Sequence, residues 1–217
     1  MKILALEFSS DQRSVAVVED GQVRSRAQDS GVRPGSALGP VETALQEARL
    51  EREHVDCLAV GLGPGSYAGV RSAIALAQGW QLARETKIVG FSSVECLAAQ
   101  AQAEKIWGRV NILIDAQRDE FYLASYEIGA ALFRETERLH LAGMEEARAR
   151  ADAGEIMSGP EADKWFSTGR ALFPDAAMLA RLSGGRNDFI SAEKLEPIYL
   201  RETAFRKTPP PRIVPAR

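Results

Sequence analysis

Cysteine and histidine are nearly absent from this 217-residue sequence. The two cysteines, Cys57 and Cys96, stand in apolar segments, the setting of small core residues in a reducing cytosol and not of a disulfide framework. His54 and His140 each stand alone, with no second His one helical turn on and no Cys pair at ligand spacing, so no metal site and no cofactor is expected. No apolar run reaches about 18 residues, and Met1-Lys2-Ile3-Leu4 enters an apolar stretch directly, so neither a membrane span nor a signal peptide is expected and the chain reads as cytoplasmic. An excess of one charge is missing too. The formal net charge is -3, which removes any global basic field that would draw the chain onto nucleic acid. The Gly-x-Ser-x-Gly elbow of serine hydrolases is absent. What remains is ordinary for a globular protein: 45% hydrophobic and 26% charged residues, with length for one large domain or two small lobes.

The stretch from Leu58 to Leu82 organises the rest. Leu58 to Leu62 is an apolar run of strand length, and Gly63-Pro64-Gly65-Ser66 then forces a tight turn. From Tyr67 the pattern becomes helical, with Val70, Ala73, Ile74 and Ala77 on one apolar stripe. Ser66 reads as the helix N-cap. Ala68, Gly69, Ala73, Ala75, Ala77 and Gly79 make this helix poor in bulk, and small side chains let helices approach closely. Such a helix is expected to be buried on more than one side, one of which belongs to another chain. Gly63-x-Gly65-x-x-Ala68 fits a loose dinucleotide fingerprint. However, the next strand, Lys87 to Phe91, ends in Phe-Ser-Ser where that fingerprint wants an acid, and no Lys follows the loop as a Walker motif requires.

Around that stretch the first half reads βββαβαβα. Ile3–Leu6, Val15–Val18 and Val23–Ala27 are strands, with Asp20-Gly21 as a hairpin turn. Ser30–Gly39 is a loop, Val41–Leu50 an amphipathic helix, and Ser92 to Glu95 has capping-box spacing ahead of a helix to Ala103. A displacement of 108 residues then repeats the opening. Asn111-Ile-Leu-Ile-Asp115 resembles Ile3-Leu-Ala-Leu-Glu7, Asp11 meets Asp119, Ala16 meets Ala124, Glu19 meets Glu127 and Gly21 meets Gly129. Strands are further expected at Phe121–Tyr126, Leu132–Leu141, Glu155–Ser158 and Pro197–Leu200, and helices at Met144–Ala153 and Ala176–Leu182. The fold class is α/β, with two like lobes: 1–105, 106–207, and an extended or disordered tail at 208–217.

Glu7 and Asp115 end equivalent strands of the two halves. In a two-lobed ATPase such a pair flanks the phosphates and holds Mg²⁺ through water, with Ser9 and Ser10 as donors. Turns after strands also favour Ser and Asp for purely local hydrogen bonds, and neither turn has the glycines of a phosphate loop. These four residues are therefore read as facing a vestigial nucleotide position, and no catalytic residue is assigned.

Five segments stand out together: Ile3 to Ser10, Val60-Gly-Leu-Gly-Pro-Gly-Ser-Tyr-Ala-Gly-Val-Arg71, Val89 to Glu95, Ile114 to Arg118 with Glu120-Phe-Tyr122, and Pro197-Ile-Tyr-Leu-Arg201. In this order they resemble the TsaB (YeaZ) family of tRNA threonylcarbamoyladenosine biosynthesis proteins. The chain departs from the family's usual pattern at Glu7-Phe8-Ser9, at Tyr67-Ala68-Gly69 and at Gly35-Ser36-Ala37-Leu38. The resemblance implies an actin-like, sugar-kinase-like fold of two ribonuclease-H-type lobes, each a mixed sheet flanked by helices. It also implies a non-catalytic subunit that binds TsaD, with TsaE joining as an ATPase, that self-pairs when alone, and that meets tRNA only through the complex. The TsaD metal motif, His-x-x-x-His, is absent here. The implied partner face is Tyr67, Ala68, Val70, Arg71, Ala73, Ile74, Ala75, Ala77 and Gln78, with Val41 and Leu45 beside it. The competing expectation is an independent enzyme, either an ATP-dependent kinase of this fold or a glycoprotease-like peptidase.

Overall fold

The computed structural model describes residues 1–29 and 37–201. Part of the expected loop at 30–39 and the whole expected tail at 208–217 lie outside the described residues. β1 (Lys2–Glu7), β2 (Arg13–Glu19) and β3 (Gln22–Asp29) form an antiparallel meander. Asp20 and Gly21 both have positive φ, 50° and 79°, as a two-residue hairpin turn matched to strand twist requires. α1 (Leu38–Glu47) leads to β4 (Cys57–Gly61), α2 (Tyr67–Ala83), β5 (Lys87–Phe91) and α3 (Ser93–Ala103). β4 and β5 lie parallel to β1, giving the order β3-β2-β1-β4-β5. Every residue of β4 is buried, which is why it reads as an unbroken apolar run and not as an alternation.

The second half repeats this plan with β6 (Gly108–Asp115), β7 (Glu120–Ile128), β8 (Phe133–Gly143), α4 (Met144–Asp152), β9 (Ile156–Gly159), α5 (Ala162–Trp165), β10 (Arg170–Ala171) and α6 (Ala176–Leu182). Its sheet order, β10-β9-β6-β7-β8, is the same succession, again with three antiparallel strands and two parallel ones. The internal repeat is thus a repeat of topology, but not of register. Leu6 pairs with Val15, whereas Ile114 pairs with Tyr122, so the second hairpin is one residue tighter. The displacement of 108 holds along the first strand of each half and becomes 107 along the second. Ala124 and Glu127 are therefore one position out of line with Ala16 and Glu19 in space.

Each sheet buries both faces. On one face of the first sheet, Leu4, Leu6, Val15, Val17, Leu58 and Val60 meet α1 and α2. On the other, Ile3, Ala5, Ala16 and Ala59 meet Ala176, Leu179 and Ala180 of α6, small strand residues against a small helix. α6 thus packs on the first sheet although it is the last α-helix of the described residues. α3 serves both halves: Cys96 faces the first sheet, while Val94, Leu97, Ala98 and Ala101 face Val110, Ile112 and Tyr122 of the second.

Two local expectations are corrected, and some short elements go unforeseen. Pro197–Leu200 is not a strand, although Ile198 N donates to Leu62 O at 2.8 Å at the end of β4. The capping box at Ser92 does not form: Ser92 is the N-cap without a side-chain cap bond, and Glu95 faces Arg186 instead, 3.9 Å away. α5, β10 and the short 3₁₀ turns carry too few periodic residues to be read from sequence.

Candidate functional site

Two features bring the singled-out residues together: a cleft between the halves, and the outer surface of α2 beside it. The turn of Gly63 to Ser66 is drawn tightly onto the β1–β2 turn. Ser66 N donates to Ser9 O at 2.7 Å, and Ser66 Oγ accepts from Gly69 N at 3.3 Å, which is the expected N-cap. Gly65, with φ of +145°, leaves no room for a Cβ beside the Ser9 carbonyl.

The cleft encloses about 930 Å³. Its first wall is Ser9, Ser10 and Asp11 with the start of α2; its second is Asp115 to Arg118 with Glu161 and Lys164. Tyr199 and Arg201, from the last described segment, close one end. Of the four residues read as nucleotide-facing, Ser9, Ser10 and Asp115 line this cleft and Glu7 does not. Glu7 is wholly buried beneath it. Its Oε1 accepts from Ser9 N at 2.7 Å and its Oε2 from Ser93 Oγ at 3.0 Å, while Gly61 must lack a side chain to admit it. Burial pushes the Glu7 carboxyl above its ordinary range, opposed by the hydrogen bonds from Ser9 and Ser93. It fastens β1 to the start of α3, and its carboxylate is spent within the protein. Ser10 Oγ is likewise engaged with Gln12, accepting from its N and donating to its carbonyl at 3.2 Å.

Asp115 is exposed and accepts from Gln117 N at 2.7 Å, the same two-residue step that Glu7 makes to Ser9. After it, Gln117, Arg118 and Asp119 all take positive φ, 61°, 61° and 58°, uncommon for three consecutive residues with side chains. Arg201 anchors this turn by donating to Gln117 O at 3.2 Å and pairing with Glu120. The cleft therefore presents acids (Asp11, Asp115, Glu161) and cations (Arg118, Lys164, Arg201) together. Burial raises the Glu161 carboxyl, Lys164 opposes this, and the Asp115 and Asp11 charges add to it. Among the described residues lining the cleft, no nucleophile stands with a histidine. Cys57 and Cys96 are wholly buried elsewhere.

The expected partner-face residues divide by burial. Val70, Ala73, Ile74 and Ala77 belong to the chain's own core, as do Val41 and Leu45 of α1, and none is more than 6% exposed. The apolar stripe read from the sequence is the side that holds α2 to its sheet. Gln78 is half-buried, with its amide 3.3 Å from Ala192 O. Tyr67, Ala68, Arg71 and Ala75 are exposed. The same outer surface ends at Leu82, 89% exposed. Tyr67 stacks on Tyr199, ring centroids 5.6 Å apart, and the Arg71 guanidinium lies 3.8 Å from the Tyr67 centroid. The sequence pattern does not mark Leu82 and Tyr199 as surface residues. Leu82 lies two turns after the exposed Ala75 and off the apolar stripe, and Tyr199 reaches Tyr67 only through the return of the chain.

Comparison with known proteins adds what geometry alone does not. The model of the family described as TsaD, tRNA N6-adenosine threonylcarbamoyltransferase, matches residues 36–192. The tRNA threonylcarbamoyladenosine biosynthesis protein TsaB of Escherichia coli is 29% identical over 228 residues, covering 96% of this chain and 99% of that protein. The TsaB of Haemophilus influenzae is 27% identical, with 96% and 98% covered. The solved structure of YeaZ from Pseudomonas aeruginosa superposes with a TM-score of 0.78 at 28% identity, covering 92% of this chain and 99% of that one. The full-length matches bear the TsaB and YeaZ names, whereas a TsaD-type transferase of Geobacter, 33% identical, meets only 44% of this chain and 33% of its own length. Two repeated sheets in one order, a glycine-tight turn feeding α2, and relatives matched end to end agree: the chain belongs to the threonylcarbamoyltransferase family described by the TsaD model, in its TsaB (YeaZ) branch.

Proposed function

We propose that this chain is a non-catalytic subunit that binds TsaD, with TsaE, and supports threonylcarbamoyl transfer to the adenosine beside the tRNA anticodon. A role in tRNA threonylcarbamoyladenosine biosynthesis is supported by the names of the full-length relatives. The observation that carries the subunit reading is the outer surface of α2. Its inner stripe is consumed by the first sheet, yet Tyr67, Ala68, Arg71, Ala75 and Leu82 stand in solvent. Short outward side chains along a helix admit a second helix at close range, and an exposed Tyr–Arg pair supplies the kind of anchor that interfaces favour. The same surface serves self-pairing of the free chain. tRNA meets this subunit only through the assembly, in the cytoplasm; among the described residues no helix is long and apolar enough to cross a membrane.

The test is light scattering of the chain mixed with TsaD from the same organism, with and without TsaE and ATP. Ala75→Glu, on the exposed side, places a charge in the seam and abolishes the complex while leaving the fold intact. Ala73→Glu does not serve, because Ala73 is wholly buried and its charge would enter the core. A complex that survives Ala75→Glu overturns the proposed face. A second reading, an ATP-dependent enzyme of this fold, draws on the cleft and its exposed Arg118 and Lys164. Against it stands Glu7, whose carboxylate is engaged below the cleft. Tight ATP binding by the isolated chain would favour that reading.

A further inference from the structure

A pocket of about 550 Å³ lies on the second sheet, where the start of α3 meets β7 and β8. Its origin is a departure from the repeat. In the first half, the helix after the third strand, α1, covers the face bearing Leu4, Leu6, Val15 and Val17. Its counterpart α4 packs on the other face of its sheet, where Ala147 meets Leu113, Phe121 and Leu123. The face of β7 and β8 that a helix like α1 would cover is left to α3, and Tyr126, Phe133 and Leu139 border the space beside it.

Polar groups around this pocket have no use within the protein. Tyr126 is only 4% exposed, yet among the described residues its hydroxyl makes no hydrogen bond. Ser92 lines the pocket too, and its buried Oγ has no hydrogen-bond partner. Buried polar groups are normally paired, so each orphan calls for a partner from outside. Glu95 stands in the first turn of α3, half-buried, and its carboxylate accepts no hydrogen bond among the described residues.

The charges around the pocket leave Glu95 uncompensated. Arg186 lies 3.9 Å from it but donates to both carboxylate oxygens of Asp188, at 2.6 and 2.5 Å. Exposed Arg138 balances Glu135, which also lines the pocket. The positive end of α3 favours the ionised form of Glu95 but, at about half a unit charge, does not neutralise it. Burial raises the Glu95 carboxyl. The Tyr126 hydroxyl is raised by burial first, and the Glu135 and Glu95 charges add to this, so both acids bear on one point.

An anion would face Glu95 and Glu135 directly, and a neutral apolar ligand would strip water from Glu95 without replacing it. A primary alkylammonium has three donors and no acceptor, and the Glu95, Tyr126 and Ser92 oxygens are acceptors without donors. The Tyr126 and Phe133 rings, centroids 6.1 Å apart and tilted by 59°, offer faces to a cation, and Val94, Leu139 and Ile198 offer walls to an alkyl stem. We propose that this pocket binds a primary alkylammonium group, with Glu95 as its counter-ion and the Tyr126 hydroxyl as a hydrogen-bond acceptor. Free small amines and lysine side chains both carry that group.

The experiment is two-dimensional amide NMR of the full chain titrated with n-butylammonium and, in parallel, with 1-butanol, butyrate and a lysine blocked at both ends. Saturable shifts around Ser92 to Glu95, Tyr126 and Phe133 are expected from the amine at roughly millimolar concentration, and none from butyrate. Glu95→Gln should weaken binding about 10-fold or more, as loss of a charged hydrogen-bond partner does. Tyr126→Phe removes only the orphan hydroxyl, so it should keep the fold and weaken binding by a smaller factor. Glu85→Gln, an exposed acid past the end of α2, should change nothing. Blocked lysine binding more tightly than butylammonium assigns the pocket to a protein side chain, and the reverse assigns it to a free amine; both support the proposal. An equal response to 1-butanol overturns it, as does unchanged binding in folded Glu95→Gln or the lack of a saturable shift with either amine.

Discussion

Gly69→Ala, read against Gly79→Ala in the same helix, tests how α2 is seated. In an open helix position, Gly to Ala stabilises by about 0.8–1.0 kcal/mol, because glycine loses more backbone entropy on folding. Gly79 is such a position: a Cβ there meets nothing within 4 Å. At Gly69 a Cβ would overlap the Phe8 carbonyl oxygen and come within 3.1 Å of both the Phe8 carbonyl carbon and Ser66 Oγ. Phe8 is wholly buried and its carbonyl is backbone, so relief requires moving α2 off the β1–β2 turn. Overpacking of this kind costs about 1–3 kcal/mol, and disturbing the Ser66 cap about 1 kcal/mol more. Less the propensity gain, Gly69→Ala should destabilise by roughly 1–3 kcal/mol, while Gly79→Ala stabilises by about 0.8–1.0 kcal/mol. For a chain of this length, the melting temperature should rise by about 2–4 °C for Gly79→Ala and fall by roughly 2–12 °C for Gly69→Ala. Calorimetry or thermal circular dichroism reads both. A Gly69→Ala protein as stable as Gly79→Ala would refute the close seating of helix on turn.

Two further outcomes follow from buried groups. Burial raises the folded-state pKa of Glu7 above its unfolded value, against the hydrogen bonds of Ser9 and Ser93. Between those two values the native state holds a proton that the unfolded chain has lost, so this group's contribution to stability falls as pH rises from about 4.3 upward. Glu7→Gln should flatten that slope in urea midpoints measured across pH, and identical slopes for variant and parent would contradict the assignment. The Cys57 thiol is pushed up to about 11, mainly by burial, and Cys96 is raised well above its usual value by burial and the Glu7 charge. Neither should react with a thiol reagent at pH 8 in the native protein, and both should react on unfolding; rapid native labelling would show that the core face they share opens.

Much of the fold is legible because it is periodic. The first half's βββαβαβα order, the stripe on α2 and the Asp20-Gly21 hairpin each rest on local patterns that the packing then honours. The site was less legible, and for one recurrent reason: periodicity says that a residue is on a face, not what covers that face. Val70, Ala73, Ile74 and Ala77 announce burial equally well against their own sheet or a foreign helix, and the sheet claims them. Glu7 reads as a strand-end acid aimed outward, but the absence of a side chain at Gly61 opens a slot inward, and the carboxylate takes it. His140 reads as solitary because Glu146, which its Nε2 meets at 3.1 Å, lies across a reversal of the chain.

The placement of α3 has a consequence for motion. In a protein of two repeated sheets, the simplest movement is a hinge that opens the cleft between them. Here one helix lends opposite sides to the two cores, Cys96 to one and Leu97, Ala98 and Ala101 to the other, while α6 returns from the second half to cover the first sheet. Opening the cleft widely would shear α3 out of one of its two beds and expose apolar surface there. The molecule therefore behaves as a wedge with a pinned spine: its cleft can breathe at the turns that line it, but its outer α2 surface keeps a fixed orientation to the second sheet, a rigid platform against which a partner can be held.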